Sequence, residues 1–518
     1  MRKDNMGLGT LRWWAKQDNP IQYVNVINTA IIKLIDFALN SDGSHFDIAC
    51  VVHAIFKDEF KAISKDIWYK YDKEKHRWTR VREGLELRKI LSTDICTKFM
   101  ERSRYYCEYC DDPIQKSINE EKSLKCLKIA KQLKNSNFKD SIMKECRTLF
   151  IDEKFEELLD SRSHLLGFDN GVYDFKMHMF RDGMPDDYIF ISTKINYINY
   201  NPDSPEVTEI EEFISKIFTN NNLKNYVMDV LSCIIDGSIA QERFYIFTGQ
   251  GSNGKSRLLD LIQKSIGDYY CIVPIALLTQ KRAASNAAQS ELERTKGKRF
   301  AVMQEPSENE KLNIGLMKEL SGQDRILVRT LYKEPYEFKP QFKMILTCNE
   351  LPEVPSDDGG TWRRIKVCNF SSRFCENPDA SKNEFKMDLE LSDKFDRWKE
   401  VFISMLIDRH KHINPSSIVE PSEVRIATES YKQNNDIIGQ FVNEKIIIDP
   451  SIKEPRMSLS KLYNDFKIWT MSNVKGKKTP DRNQLKAYFE KLLDKPYDTK
   501  GWRGIGYKQD DDNDDDDE

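Results

Sequence analysis

Apolar residues recur at three- and four-residue intervals through much of the first 160 positions. YVNVINTAIIKLIDFAL (23–39) and CLKIAKQLKNSNFKDSIMKECRTLF (126–150) carry this period, which predicts amphipathic helices. Between them, DIWYKYDKEKHRWTRV (66–81) sets apolar and aromatic residues on either side of a polar DKEKH turn and predicts a β-hairpin. The stretch from 165 to 205 is rich in Gly, Asp and aromatics, a compact turn-rich connector, and a helical pattern follows from Glu209 to about Ile239. From Arg243 to Phe370 short apolar runs (RFYIFTG, RFAVMQE, FKMILTC, RIKVCNF) alternate with helical segments, which predicts an α/β sheet. Glu384 to His412 is helical again. NPSSIVEPSE (414–423) is a linker, and beyond it lies a small α-rich unit with aromatic anchors Tyr463, Phe466 and Trp469 that ends in GWRGIGYK. The predicted organisation is an α-rich region with a hairpin (1–160), a connector and helical collar (161–240), an α/β core (241–415), a small C-terminal domain (421–508) and an acidic tail (509–518).

Composition agrees with several packed domains. The chain has 518 residues, 39% apolar and 31% charged, long enough for a large buried core. No apolar run approaches the roughly 18 residues that would span a bilayer. The first twenty residues lack a continuous apolar segment, so neither a secretory signal nor a membrane association is expected. Eleven scattered cysteines fit a reducing compartment. The net charge of −3 hides an uneven distribution, because eight of the 83 acids lie in the last nine residues. The remainder carries 80 bases against 75 acids, a mildly basic body compatible with nucleic acid but not diagnostic of it.

The strongest chemical signal is YIFTGQGSNGKSRLLDLI (245–262). An apolar strand runs into Gly249-x4-Gly254-Lys255-Ser256 and then an amphipathic helix. Glycines let a loop wrap inward so that backbone N–H groups and a helix N-terminus face phosphates. In such a loop Gly249, Gly251, Ser252, Asn253 and Gly254 form the cradle. Lys255 reaches the β- and γ-phosphates, and the Ser256 hydroxyl ligates Mg²⁺. ATP and Mg²⁺ are therefore the expected cofactors. The RFAVMQE strand ends in Gln304 and Glu305 where two acids would be usual. With Lys255 and Ser256 holding phosphate and metal, one acid suffices: Glu305 is the expected base and metal contact, and Gln304 can still hydrogen-bond a metal-bound water.

Downstream, Lys318-x-x-Ser321-Gly322-x-Asp324 runs into RILVRTLYKEPYEFKPQFK, two extended runs joined by YKEP, a second hairpin. FKMILTCNELPEVP places Asn349 at a strand end, suited to sensing a γ-phosphate. DDGGTWRRIKVCNF puts Arg363 and Arg364 just before a strand.

These blocks, in this order, resemble a superfamily 3 helicase, more closely the helicase part of the primase-helicases of poxviruses and other nucleocytoplasmic large DNA viruses. The connector LLGFDNGVYDF…DDYIF and the front segment MGLGTLRWWAKQDNPIQY are similar to that group as well. The resemblance implies an AAA+-like P-loop motor core beside the α-rich N-terminal region. It also implies a homo-oligomeric ring, usually a hexamer, drawing single-stranded or forked DNA through its channel 3′→5′ with ATP hydrolysis during viral genome replication in the host cell, at a cytoplasmic site. Lys318, Arg329 and Lys333 become candidates to touch the DNA backbone. Arg363 or Arg364 becomes the finger that reaches a neighbour's ATP. Primase or polymerase partners fit the same setting. No paired acids of a polymerising site are visible before the connector, so primer synthesis is not expected of this chain, and such a module would lie on another chain or in a larger protein.

Other constellations are weaker. Cys107-x-x-Cys110 lacks a second close pair, which favours reduced thiols over zinc. Trp68, Tyr69 and Trp78 could stack bases, although a hairpin packed on neighbouring helices is the stronger reading. Helix, basic turn and helix over 461–493, with GWRGIGYK as a wing, suggest a winged-helix-like domain in which Lys475, Lys477, Lys478 and Arg482 meet phosphates. The rival functions are an AAA+ ATPase that remodels or loads replication proteins without strand separation, and a non-catalytic DNA-binding ring subunit.

Overall fold

The computed structural model describes residues 15, 18–108, 112–280, 289–304, 310–329, 334–355, 358–452, 454–474 and 479–508. The N-terminal unit is helical: α1 Pro20–Asn40, α2 His45–Phe56, α3 Cys96–Tyr106, α4 Pro113–Gln132 and α5 Ser136–Phe150. They close around a core that includes Ile35, Val52, Leu91, Phe99, Ile129 and Phe150. Within the unit lies a three-stranded antiparallel sheet of β1 Phe60–Ala62, β2 Ile67–Asp72 and β3 Arg77–Arg82. The β2–β3 pair is the predicted hairpin. It buries Trp68, Tyr69 and Trp78, with the Trp78 ring 4.7 Å from Phe155, so these aromatics pack rather than offer faces to bases.

The connector is a second small antiparallel sheet, β4 Leu165–Phe168, β5 Gly171–Asp174 and β6 Met179–Arg181. It grips the hairpin: Trp78 donates its backbone N–H to Ile189 (2.7 Å) and its indole N–H to Pro185 (2.8 Å), and Arg77 pairs with Asp169 at 2.6 Å. The predicted helix from 209 to 239 is two helices, α6 Pro205–Ile217 and α7 Asn221–Ile234. Pro205 sits in the first turn, where its missing N–H costs nothing. The Asn220 side chain caps α7 by accepting from Asn222 and Leu223, which explains the break.

The core is a five-stranded parallel sheet in the order β13-β7-β12-β9-β8. Its strands are β7 Phe244–Thr248, β8 Tyr270–Ile272, β9 Phe300–Gln304, β12 Lys343–Cys348 and β13 Ile365–Asn369. Helices cover both faces, so the strands read as continuous apolar runs rather than alternating ones. Tyr245, Phe247, Phe300, Val302 and Ile345 pack toward α6, α7, α8 Lys255–Ile266 and α11 Leu391–Lys411. Phe244, Ile246, Ala301, Met303 and Leu346 pack the other way, against α9 Ile314–Ser321 and α12 Ser422–Asn435. Strand β8, only three residues long, was not predicted. The second predicted hairpin is present as β10 Ile326–Val328 against β11 Tyr336–Phe338. After it come α10 Gly359–Trp362 and a parallel pair, β14 Arg373–Cys375 and β15 Glu384–Lys386. Residues 384–386 are therefore strand, and the helix begins at Leu391 rather than Glu384.

The expected boundary near 421 also moves. Helix α12 belongs to the core: Val424 and Tyr431 are buried, the Tyr431 hydroxyl lies against the Pro352 carbonyl, and the β13 Val367 N–H donates to Thr428 at 3.1 Å. The separate C-terminal unit is α13 Ile437–Lys445, β16 Ile446–Ile448, α14 Leu459–Asn473, α15 Arg482–Leu493 and β17 Ile505–Tyr507. It closes on Phe441, Phe466, Trp469, Phe489 and Trp502, with β16 and β17 antiparallel. Among the described residues no helix is long and apolar enough to cross a membrane.

A buried cation ties connector to core. Arg299, 2% exposed, donates to the carbonyls of Ser163 and Leu165 (both 3.0 Å) and to the Gln341 side chain, and its guanidinium lies 5.2 Å from the Tyr269 ring. Nearby, Asp160 accepts from the Phe190 and Ile191 N–H groups, and burial pushes its carboxyl up from 3.8 to about 6. Between those values the folded chain holds a proton that the unfolded chain has lost, so stability falls as pH rises through that window. Asp160→Asn keeps an acceptor for both N–H groups. The variant should melt higher than the parent at pH 7.5 and show no advantage near pH 4, as read by thermal denaturation at the two pH values.

Candidate functional site

Parallel register brings the carboxyl ends of β7, β9 and β12 to one edge of the sheet. Thr347 pairs with Gln304 and Cys348 with Thr248, so Gln304, Asn349 and the glycine loop leave neighbouring strands side by side. Open α/β sheets bind ligands outside this edge. The loop turns back on itself through left-handed backbone at Gly249 (φ +147°), Ser252 (+62°) and Gly254 (+87°) before α8 starts at Lys255. Gly249 is required: a Cβ there would lie 2.4 Å from the Phe370 carbonyl oxygen. At Gly254 a Cβ would meet Ile217 at 2.8 Å. Asn253, buried, braces the loop by donating to the Gln250 carbonyl (2.5 Å) and accepting from the Lys255 N–H (3.3 Å).

Lys255 and Asn349, 94 positions apart, meet here. The Lys255 ammonium donates to the Gly249 carbonyl at 2.6 Å and to Asn349 Oδ1 at 3.2 Å. Thr248 Oγ1 donates to the Asn349 carbonyl at 3.3 Å and ties the two strand ends together. Ser256 is exposed in the first turn of α8, Gln304 is exposed at the end of β9, and a Cβ on Gly251 would meet nothing within 4 Å. An inward-curving loop, a helix N-terminus, a lysine and an open side are the donor set a polyphosphate requires, and Ser256 is placed to add a hydroxyl for a metal ion. The residues present fit Mg·ATP. Glu305 lies outside the described residues.

The two arginines lie elsewhere. They precede β13 at the amino edge of the sheet, since Ile365 pairs with Phe244 and the Arg364 carbonyl accepts from the Phe244 N–H. A five-residue strand, about 16 Å, separates them from the loop that follows β7. They also differ from each other. Arg364 is enclosed, paired with Glu242 and donating to the Gly360 carbonyl at 3.0 Å. The Arg363 side chain is 65% exposed, with Glu242 at 3.5 Å.

Of the residues expected on DNA, Arg329 is exposed at the end of β10, and Lys333 lies outside the described residues. Lys318 is found in an ion pair: its ammonium donates to Asp358 Oδ2 at 2.7 Å, and that carboxylate caps α10. The pair is partly exposed and sits on α9, ahead of the hairpin strands. Sequence reasoning missed Arg325, which is exposed two and four positions before Leu327 and Arg329 on the outward face of β10. The alternation RILVR carried that signal. Also missed was Arg373, exposed beside Phe374, whose N–H donates to the Ser252 carbonyl at 2.7 Å. Arg482 is exposed and donates to Ser460 (2.9 Å), while Lys475, Lys477 and Lys478 lie outside the described residues. Cys107 is exposed beside Ser123, and Cys110 lies outside the described residues. Among those described, no cluster of three or more His, Cys, Asp or Glu could hold a metal.

Residues 51–219 match the family model described as D5 N terminal like, and residues 247–364 match a family of unknown function, DUF5906. A protein of Acanthamoeba polyphaga mimivirus named "Putative helicase" is 34% identical over 503 residues, 95% of this chain and 52% of that protein. The chain's homologues are proteins of large DNA viruses named putative helicases and putative primases. A Frog virus 3 protein, also named "Putative helicase", is 24% identical over 98% of this chain and 62% of its own length. An African swine fever virus protein named "Putative primase" is 24% identical over 90% and 52%. The chain thus spans about half the length of the curated relatives it matches. Among solved structures, the apo C-terminal region of NrS-1 overlaps 58% of this chain and 69% of that one, at 15% identity and a TM-score of 0.36.

Loop geometry generates a direct contrast. Gly249→Ala should destabilise the chain by about 1–3 kcal/mol, because the added Cβ meets backbone in a strained conformation. Gly251→Ala, facing open space, should change the chemical-denaturation midpoint little.

Proposed function

We propose that this chain is an ATP-driven helicase of viral DNA replication, with a superfamily 3, AAA+-like motor that works as a homo-oligomeric ring, a hexamer by resemblance, on single-stranded or forked DNA. The observation that carries the reading is the Lys255 ammonium held between the Gly249 carbonyl and Asn349 at the carboxyl edge of a parallel sheet. Names of the viral relatives and the hairpin inserted between β9 and β12 support a nucleic-acid substrate over a protein one.

In this reading the loop N–H groups and the start of α8 bind phosphate, and Lys255 turns from Gly249 to the β- and γ-phosphates. Bound Mg·ATP supplies the phosphoanhydride whose hydrolysis drives movement. Ser256 would hold the metal ion, with Gln304 bonding a metal-bound water. Glu305 takes the proton from the attacking water, and Asn349 holds that water in line through its amide. Arg363, too far along the sheet to serve its own loop, extends toward the loop of a neighbouring subunit and stabilises charge that develops on the transferred phosphoryl group. Arg364 keeps the turn in place through Glu242 and Gly360. Arg325 and Arg329 offer sequence-indifferent contacts to the DNA backbone from the hairpin. The small C-terminal unit, with two strands and three helices, is the winged-helix-like module of this reading.

Four measurements test this function. Lys255→Ala should lower DNA-stimulated ATP hydrolysis by about 100-fold or more while leaving the melting curve unchanged; undiminished turnover would refute the reading. Mixing inactive Lys255→Ala chains with Arg363→Ala chains should restore part of the hydrolysis, because loop and arginine act across subunits. No recovery, with ring formation verified, removes Arg363 from that role. Glu305→Gln should bind ATP normally and fail to hydrolyse it. An unwinding assay on forked DNA of each polarity separates a helicase from an ATPase that remodels proteins.

A further inference from the structure

Lys318 was expected on DNA and is found in an ion pair, and that pair has a particular location. Helix α9 leads through Gly322–Arg325 directly into the hairpin strand β10, so α9 and the hairpin base form one continuous arm. On one side α9 buries Leu316, Met317 and Leu320 against the sheet. From its exposed side Lys318 reaches Asp358 at 2.7 Å. Asp358 is the N-cap of the four-residue turn α10: its Oδ1 accepts from the Gly360 N–H (2.7 Å) and the Thr361 N–H (3.2 Å), and its Oδ2 accepts from the Thr361 hydroxyl (2.6 Å). The residue that follows that turn is Arg363, whose N–H donates to the Gly359 carbonyl at 3.0 Å. A chain of three contacts thus joins the hairpin arm to the exposed arginine. Gln323, between α9 and β10, donates to the Ile239 carbonyl at 2.9 Å and fastens the middle of the arm to the core.

We propose that Lys318 is a positioning residue that couples the DNA-facing hairpin to the turn presenting Arg363, so that load on the hairpin sets where the arginine points. This coupling rests on the proposed function and deepens it, because it names how nucleic acid regulates hydrolysis at the neighbouring subunit. The physical basis is that a capping carboxylate holds two N–H groups and a hydroxyl of one short turn. Withdrawing or reorienting its cationic partner changes the charge at that cap. A side chain that bound DNA directly would instead act on DNA affinity.

The test uses the full chain with Lys318→Met, the conservative Lys318→Arg, Arg363→Ala, and the Lys318→Met/Arg363→Ala double variant. ATP turnover is measured with and without forked DNA, and amide hydrogen exchange of residues 359–364 is followed on DNA addition. Lys318→Met should lower kcat in the presence of DNA at least fivefold, with KM for ATP, DNA affinity and melting temperature unchanged, and Lys318→Arg should recover most of it. In the Arg363→Ala background the Lys318 change should have no further effect on kcat, since it acts through that arginine. DNA should alter exchange at 359–364 in the parent and not in Lys318→Met. Multiplicative losses in the double variant, a selective fall in DNA affinity, or unaltered DNA-dependent exchange in Lys318→Met would each overturn the proposal. The exchange experiment does not depend on the arginine's chemistry. If exchange responds as expected while Arg363→Ala keeps full turnover, the finger assignment fails and the mechanical coupling stands.

Discussion

Everything this core offers chemically depends on five strands running the same way. Parallel pairing places every strand's carboxyl end at one edge, so the glycine loop, Gln304 and Asn349 emerge together although the chain separates the first and last by about a hundred residues. The same pairing sends Arg363 and Arg364 to the opposite edge with Glu242. One sheet therefore carries a phosphate-type cradle on one rim and a presented cation on the other. In the proposed function the site is completed where the rims of two copies meet, which is why that activity demands an oligomer.

The remaining units are fastened to this sheet by polar joints as much as by apolar contact. Arg299 is fully enclosed at the foot of β9, yet its partners are carbonyls of the connector, a glutamine ahead of β12 and the face of Tyr269. Guanidinium geometry suits this role because several donors fan out in one plane and can bridge separate segments. The N-terminal hairpin is attached through Trp78 and Arg77 to the same connector. Connector and core thus share a rigid seam, and the N-terminal unit is anchored on it by its hairpin.

Differences between adjacent, chemically similar residues carry much of the functional reading. Arg363 and Arg364 are identical side chains one position apart, but a half-turn of backbone encloses one beside Glu242 and leaves the other in solvent. Lys318 and Arg329 are both cations near the hairpin, but one is committed to a helix cap and the other is exposed. Charge alone would have treated each pair as equivalent. Burial distinguishes the arginines, which share Glu242, and a capping carboxylate distinguishes Lys318 from Arg329.

The glycine loop, the apolar strands around it and both hairpins were legible in the sequence because each rests on local rules: glycine where the backbone turns left-handed, unbroken apolar runs where both sheet faces are covered, alternation around polar turns. Asn349 at a strand end was legible for the same reason. What local pattern could not supply was anything set by a distant partner. The three-residue strand β8 exists only because β9 lies beside it, and residues 384–386 became a strand by pairing with 373–375. Helix α12 joined the core because Tyr431 and Thr428 found partners near β12 and on β13, beyond a linker that looked like a domain boundary. Lys318 is paired with Asp358, forty residues on, a partner that local pattern gave no sign of. Sequence determined the chemistry available and the loop that concentrates it. Tertiary structure decided which cations remain exposed to act, because an ion pair or a buried hydrogen bond forms with whichever partner the fold brings within about 3 Å.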